Sequence, residues 1–425
     1  MTGARILVHD YAGHVAQVEV SRELARRGYQ VLHLYAAGLE TPRGALERRL
    51  SDPPTFDVQP VSFKGKFQKH NYIRRQIQEI EYGTPLTKAA LAFQPDIVLS
   101  ANTPLIPQAQ LQWACHRARI PFVFWMTDIY CLAVQGGIRE KLSWIGKAIV
   151  SFYRWLECFL VRRADGVIVI AERFKEILSG WGIQRSDVQV IPVCAPFEEI
   201  RVGSKDNAWA KAHGLNDTLN IIYSGTLGTK HNPGLISSLA QKLRGQANVR
   251  IVVVSEGPGA DFLKAQKSTY ELDNLNVLPF QPFESFANVL AAADILLAIL
   301  EVDAATYSIP SKVISQLCAG RPQVIAVPSG NVVAEIVAEA GAGIVTPPGN
   351  ENRFFEAVEH LLNSDEERAR MGRSARQFAE RDLGVVGLGE KYAQTVSTIL
   401  SGQVSSQNTC LRAKIHQRNS PMPEL

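Results

Sequence analysis

The 425-residue chain contains only six cysteines, Cys115, Cys131, Cys158, Cys194, Cys318 and Cys410, and no two of them form a C-x-x-C pair. Neither a disulfide framework nor a cysteine metal site follows from such scattered spacing. No secretory signal precedes Arg5-Ile6-Leu7-Val8, which already reads as a strand, so the expected compartment is a reducing cytoplasm. Long apolar runs are missing too. A membrane span takes roughly 18 to 20 such residues, and the best stretch, Trp144 to Val161, is interrupted by Lys147, Arg154 and Glu157. The wider segment Leu142 to Arg163 is rich in Trp, Phe, Tyr, Ile and Leu and ends in basic residues. Interfacial helices and buried helices of large α/β domains share that pattern, and a core helix is the expectation.

Net charge is small as well, +4 over the whole chain. No motif interleaves aromatics with arginines for base stacking, and nucleic acid is set aside as a partner. D-x-D occurs nowhere and no closely spaced set of His, Cys and carboxylate ligands stands out, so the expected chemistry is metal-independent. The first turn, Asp10-Tyr11-Ala12-Gly13-His14-Val15-Ala16, lacks the G-x-G-x-x-G pattern, which argues against an NAD enzyme.

What is present is a steady alternation of short apolar runs and longer amphipathic stretches, in a chain that is 46% hydrophobic and 20% charged. Arg5 to Val8 predicts a strand, Val15 to Arg27 a helix stopped by Gly28, and Gln30 to Leu34 a second strand. Further buried strands are expected at Ile97 to Leu99, Phe122 to Phe124, Val167 to Ile170 and Val188 to Ile191. Residues 196–207, within a proline-containing stretch of no clear period, read as a linker between an N-terminal domain, 1–195, and a C-terminal one, 208–380. The pattern then restarts at Leu219 to Tyr223 and continues through strands Val249 to Val254, Val277 to Leu278, Ile295 to Ala298 and Gln323 to Val327, with helices between. A last helix, 381–400, is expected to return to the N-terminal domain, and 401–425 to form a disordered tail. Strands apolar on both faces and flanked by helices indicate two doubly wound, parallel, Rossmann-like sheets, with a cleft at the carboxyl ends of their strands.

The most informative stretch is Ser308-Ile309-Pro310-Ser311-Lys312, followed by a helix that ends at Gly320 before the strand Gln323 to Val327. Pro310 stands where a helix start tolerates proline, and Ser308 or Ser311 can cap the free amides. Bare N–H groups, the positive end of the helix dipole and Lys312 then converge on an anion site, for which a diphosphate is the natural occupant. An ordinary capped helix with a surface lysine is the competing reading.

The order of signals in the second half resembles the retaining glycosyltransferases of the GT-B fold, family 4, which includes surface polysaccharide and O-antigen enzymes. Four blocks carry the resemblance: Ile221-Ile222-Tyr223-Ser224-Gly225-Thr226-Leu227-Gly228-Thr229-Lys230-His231; Ser255-Glu256-Gly257-Pro258-Gly259; Leu278-Pro279-Phe280 with the helix leading to Ala291-Ala292-Ala293-Asp294; and Ser308 to Pro322 with its Ala-Gly-Arg-Pro ending. Tyr11-Ala12-Gly13-His14 and Trp125-Met126-Thr127-Asp128-Ile129-Tyr130 extend it to the first half. The resemblance implies a UDP- or GDP-sugar as substrate with no other cofactor, and a lipid-linked or growing glycan as acceptor. It implies that Gly13, Ser224, Gly225, Thr226, Glu256, Gly257, Phe280, Tyr307, Ser308, Pro310, Ser311 and Ser315 surround the donor, with Lys230 and Lys312 on its diphosphate. This chain departs from the family's two glutamates, eight positions apart, which fall on Tyr307 and Ser315, and from an arginine that falls on Thr226.

Glycosyl transfer leaves negative charge on the departing diphosphate, so Lys230, Lys312 and the helix start after Ser311 suit that task. Asp128, after the strand Phe122 to Trp125, either orients and deprotonates the acceptor hydroxyl or caps the next helix. His14 either approaches a substrate or is a polar turn residue. The run Lys64-Gly65-Lys66-Phe67-Gln68-Lys69-His70-Asn71-Tyr72-Ile73-Arg74-Arg75 mixes cations and aromatics, which suits an anionic membrane surface or lipid diphosphate, and equally a solvated helix face. The resulting expectation is a retaining hexosyltransferase in surface polysaccharide assembly, peripheral at the cytoplasmic membrane face. A catalytically silent partner subunit and a nucleotide-sugar epimerase of the same fold are the alternatives.

Overall fold

The computed structural model describes residues 3–39, 46–63, 65, 67, 72–138, 144–228, 231–301 and 311–418. Two compact units divide the chain, one of residues 1–130, 151–194 and 385–425, the other of residues 131–150 and 195–384. Each is built on its own parallel sheet.

In the first unit seven strands stand in the order β3-β2-β1-β4-β5-β6-β7. They are β1 Arg5–Asp10, β2 Gln30–Ala36, β3 Phe56–Val61, β4 Ile97–Ala101, β5 Phe122–Met126, β6 Gly166–Val169 and β7 Val188–Val190. Every pairing is parallel. The central strands β1, β4 and β5 bury nearly every side chain, as a sheet covered by helices on both faces requires. Helix α1, Val15–Arg26, follows β1, and α2, Tyr72–Ala92, and α3, Leu105–Ala118, precede β4 and β5. From its second residue helix α4, Tyr130–Ile138, falls in the other unit, as does the start of α5, Trp144–Arg163, while α5 from residue 151 onward and α6, Glu172–Gly180, belong to this one.

Sequence periodicity misses β3, α2 and α3 for identifiable reasons. Edge strand β3 alternates weakly and contains Pro60, which an edge tolerates because one side of its backbone pairs with nothing. Helix α3 turns glutamines inward: Gln112 Nε2 donates to the Leu160 carbonyl at 3.0 Å and Gln108 Nε2 to that of Ser100 at 3.4 Å. Helix α2 buries Glu79 and contains Pro85.

Helix α5 is not the core helix that its composition suggests. One side is buried through Tyr153, Leu156, Leu160 and Val161, but Trp144, Ile145, Phe152, Trp155 and Phe159 are exposed. Its apolar residues outnumber those that one buried stripe can take.

The second unit has six parallel strands in the order β10-β9-β8-β11-β12-β13. These are β8 Leu219–Ser224, β9 Val249–Val254, β10 Leu275–Leu278, β11 Ile295–Ile299, β12 Gln323–Ala326 and β13 Gly343–Thr346. Its helices are α7 Ala208–Ala212, α8 Pro233–Lys242, α9 Pro258–Tyr270, α10 Phe286–Ala291, α11 Ser311–Cys318, α12 Val332–Glu339, α13 Glu351–Leu362 and α14 Asp365–Asp382. Residues 195–207 have no regular structure, yet they are fastened to this unit. Ile200 is buried, Arg376 Nη1 donates to the carbonyls of Ile200 and Cys318, and Arg321 Nη2 donates to that of Gly203.

The last helix, α15 Val385–Arg418, packs in the first unit. Its Leu388, Tyr392, Val396 and Leu400 join the core of Val18, Leu24 and Trp125, with the Tyr392 and Trp125 rings 4.7 Å apart. Arg27 Nη2 donates to the Val386 carbonyl at 2.8 Å. The helix runs on past Ser401, where the sequence suggests a tail without structure, and no proline interrupts it before Pro421.

Candidate active site

The second unit brings several of the sequence-nominated donor residues to the carboxyl ends of β8 and β9. Strand β8 ends at the buried Ser224, and Gly225 then takes φ +122°, a backbone that side chains rarely adopt. Its N–H donates to the Val254 carbonyl at 3.0 Å, tying the loop to the end of β9. Lys312, the second residue of α11, reaches this loop. Lys312 Nζ donates to Tyr223 Oη at 2.5 Å, lies 3.4 Å from the Thr226 carbonyl and stands 3.9 Å from the Tyr223 ring centroid. Tyr223 Oη in turn donates to the Thr226 carbonyl at 2.8 Å, and burial pushes its phenol far above the ordinary range, so it keeps its proton. A Cβ on Gly225 would meet Lys312 Cε and Nζ at 3.5 Å. The cation is therefore held over a bare patch of backbone at the start of a helix, the arrangement that receives phosphate oxygens.

A second helix start adjoins the same loop. Gly257, at φ +89°, is the N-cap of α9, and Pro258 occupies its first turn. A Cβ on Gly259 would stand 2.1 Å from the Leu227 carbonyl oxygen, so only glycine lets the loop rest on the helix there. Residues 228 and 231 close the loop from the other side: Gly228 N donates to His231 Nδ1, and His231 N to the Gly228 carbonyl, both at 3.0 Å. Glu256 is exposed and accepts from the Phe280 amide at 3.2 Å, with Phe280 itself exposed beyond β10. Thr226 is exposed at the loop, and half-buried Ser315 lies one turn beyond Lys312 on α11. Ser311 opens that helix. Lys230, Tyr307, Ser308 and Pro310 lie outside the described residues.

The first unit holds a separate cluster at the carboxyl ends of β1, β4 and β5. Asp10 is fully buried and accepts from the amides of Ala12 and His14, at 3.3 and 2.5 Å, and from Asn102 Nδ2 at 2.8 Å. Burial raises its carboxyl above the usual range, while the opposed His14 and these donors pull it back. Thr127 Oγ1 donates to Asn102 Oδ1, which closes the chain of contacts from β5 to β1. Gly13 completes the turn at φ +70°, and a Cβ there would meet Leu46 Cδ1 at 2.7 Å. His14 is the N-cap of α1 and makes no side-chain cap bond. Asp128 is exposed directly after this strand end, while the amide of Tyr130 goes to buried Glu157 Oε1 at 2.9 Å. Asp10, Asn102, Thr127 and Glu157 do not stand out as site residues from sequence pattern; a polar residue ending an apolar strand is the signal that marks the first three.

The basic run is only partly available for an acidic surface. Arg75 Nε donates to Glu79 Oε1 at 2.7 Å, and Glu79 is buried, so Arg75 is committed to neutralising its own helix. Arg74 is exposed, whereas Lys64, Lys66 and Lys69 lie outside the described residues. Among the described residues no helix is long and apolar enough to cross a membrane.

Two family profiles match the chain in tandem: "Glycosyl transferase 4-like domain" over residues 13–194 and "Glycosyl transferases group 1" over residues 205–378. No curated protein sequence matches significantly. Among solved structures, HepE of Anabaena in complex with UDP and glucose is similar with a TM-score of 0.68 at 15% identity, covering 93% of this chain and 100% of that one. Sucrose-phosphate synthase from Thermosynechococcus elongatus is similar with a TM-score of 0.70 at 13% identity, covering 94% and 100%. WaaG, a glycosyltransferase involved in lipopolysaccharide biosynthesis, has a TM-score of 0.63 at 15% identity, covering 91% and 98%. With two parallel Rossmann-like sheets and both profiles in register with the two halves, the chain belongs to the GT-B glycosyltransferases of the group 1, family 4-like type.

Proposed function

We propose that the protein is a retaining, metal-independent glycosyltransferase that moves a sugar from a UDP- or GDP-sugar to a lipid-linked or growing glycan in surface polysaccharide assembly. The observation that carries this reading is Lys312, held by Tyr223 over Gly225 at the start of α11. As the bond between the anomeric carbon and the diphosphate oxygen breaks, charge grows on that diphosphate, and a preorganised cation with bare amides stabilises it more than it stabilises the bound substrate. A new bond to the acceptor oxygen replaces the broken one. The acceptor's proton passes to a base or to the departing phosphate, with Asp128 and His14 the candidate bases at the strand ends of the first unit. Support for the donor class comes from HepE structures that hold UDP and UDP-glucose, and for the pathway from WaaG.

The family's two glutamates are Tyr307 and Ser315 in this chain, which removes two negative charges from the donor side. That observation favours a second reading, a silent partner subunit that binds nucleotide without turnover. A panel of UDP-, GDP-, dTDP- and ADP-sugars, scored for released nucleoside diphosphate with and without EDTA, separates the two. The transferase reading expects one base to give release that EDTA does not diminish and that added lipid extract accelerates. Nucleotide binding without release under every condition supports the silent subunit.

A further inference from the structure

None of the donor residues nominated from the sequence lies on α5, and its exposed face is apolar. Phe152, Trp155 and Phe159 are 47%, 60% and 41% exposed, and the last two rings stack with centroids 5.6 Å apart. Trp113 on α3 is 61% exposed. An apolar groove of about 770 Å³ joins the two helices to α2, lined by Gly83, Thr87, Ile106, Trp113, Phe152 and Leu156 among others. Aromatic area on this scale, contiguous and open to solvent, marks a surface that something covers.

The exposed charges that α3 and α5 contribute are all basic. Arg117 lies 4.8 Å from the Trp113 ring centroid and Arg163 5.6 Å from that of Phe159, while Arg154 and Arg162 are also exposed. Helix α3 contains no acidic residue, and the one in α5, Glu157, is buried against the Tyr130 amide. A second copy docked through the same face would bring two basic rims together. An anionic surface meets both features, because Trp and Phe favour the boundary between headgroups and acyl chains and arginines favour lipid phosphates.

We propose that helices α3 and α5 dock the protein peripherally on an anionic lipid bilayer, with Trp113, Phe152, Trp155 and Phe159 at the headgroup boundary and Arg117, Arg154, Arg162 and Arg163 on the phosphates. This deepens the proposed lipid-linked acceptor and rests on that reading for its purpose, though bilayer binding itself requires no nucleotide.

The test is flotation of the full-length protein with phosphatidylcholine vesicles lacking or containing about 30 mol % phosphatidylglycerol. The wild type floats with the anionic vesicles and not with the neutral ones. Trp155→Ser/Phe159→Ser lowers partitioning by at least about tenfold, and Arg162→Glu/Arg163→Glu by a similar factor, each arginine near such a surface contributing about fivefold. Both variants change exposed positions, and nucleotide protection against thermal unfolding in each confirms that it is folded. Three results overturn the inference: no flotation of the wild type, flotation unchanged in both variants, or a dimer in sedimentation velocity that Trp155→Ser/Phe159→Ser converts to monomer. Failure to float with nucleotide protection intact removes the bilayer contact and leaves the transferase reading standing.

Discussion

Lowering the pH below neutral should destabilise the first unit through two buried histidines. His9 and His33 are both fully buried, and burial drives each imidazole down to about 3. His9 Nε2 faces Tyr82 Oη at 3.1 Å, and Nδ1 lies 3.0 Å from Thr103 Oγ1, which itself donates to the Ala101 carbonyl. Tyr82 is held protonated by burial, so it donates to Nε2, and Nδ1 carries the single ring proton. His33 Nδ1 is 2.8 Å from Ser21 Oγ, which donates to the Gln17 carbonyl. Among the described residues neither ring has a carboxylate acting on it to stabilise a second proton. The unfolded chain takes up protons near pH 6.5 and the folded one near 3, so the stability from both neutral rings is complete above pH 6.5 and falls as pH drops toward 3. Each histidine then loses about 1.4 kcal/mol per pH unit, or about 2 kcal/mol between neutral pH and pH 5, and the pair loses about 4 kcal/mol. Buried Asp10 and Glu79, whose carboxyls are raised, oppose this by favouring their protonated forms as pH falls. A difference measurement removes them. Urea unfolding of the wild type and of His9→Gln and His33→Asn, from pH 7.5 to 5, should show each variant losing about 2 kcal/mol less than the wild type over that range, the difference in slope approaching about 1.4 kcal/mol per pH unit only below about pH 6. Parallel profiles would refute the buried-neutral assignment, whatever the absolute stabilities.

Two further substitutions probe the loop and the α2 ion pair. Gly259→Ala puts a methyl into the Leu227 carbonyl, a backbone contact that cannot yield cheaply, so it should cost about 2 kcal/mol or more of stability and weaken nucleotide protection, as read by thermal unfolding with and without UDP. Arg75→Ala leaves the buried Glu79 carboxylate with the Gln76 amide as its one other side-chain donor among the described residues, and should destabilise by about 2 kcal/mol at pH 7, less than a fully buried pair because Arg75 is partly exposed. Glu79→Gln added to Arg75→Ala should recover most of that loss in urea unfolding. The loss should also shrink as pH falls, because burial raises the Glu79 carboxyl and its neutral form needs no partner.

Most of the two sheets is legible from residue patterns because β1, β4, β5, β8, β9 and β11 are short runs of apolar residues bounded by helices, a signal that burial on both faces imposes. Helix α3 is less visible, since its buried glutamines bond to carbonyls of other elements and break the apolar period. Helix α5 misleads in the opposite direction: its apolar content reads as core, while the fold turns much of it outward. At the site, Gly225, Glu256, Gly257 and Lys312 stand out in sequence as turn and cation signals. The partnership of Lys312 with Tyr223 does not, because the two are 89 positions apart and only the parallel crossover from β8 to α11 brings them together. Asp10 is hidden for a similar reason, its donors coming from its own turn and from Asn102 beyond β4.

The central claim is that Lys312 and the loop after β8 hold the diphosphate of a sugar nucleotide. Its most direct test is nucleoside diphosphate release from UDP- and GDP-sugars by the wild type and by Lys312→Ala, alongside UDP or GDP protection against thermal unfolding. The account predicts release by the wild type with one base, reduced roughly 100-fold in Lys312→Ala at unchanged folding, the loss of about 3 kcal/mol typical of one preorganised oxyanion donor. Equal release and equal protection in the two proteins would contradict it.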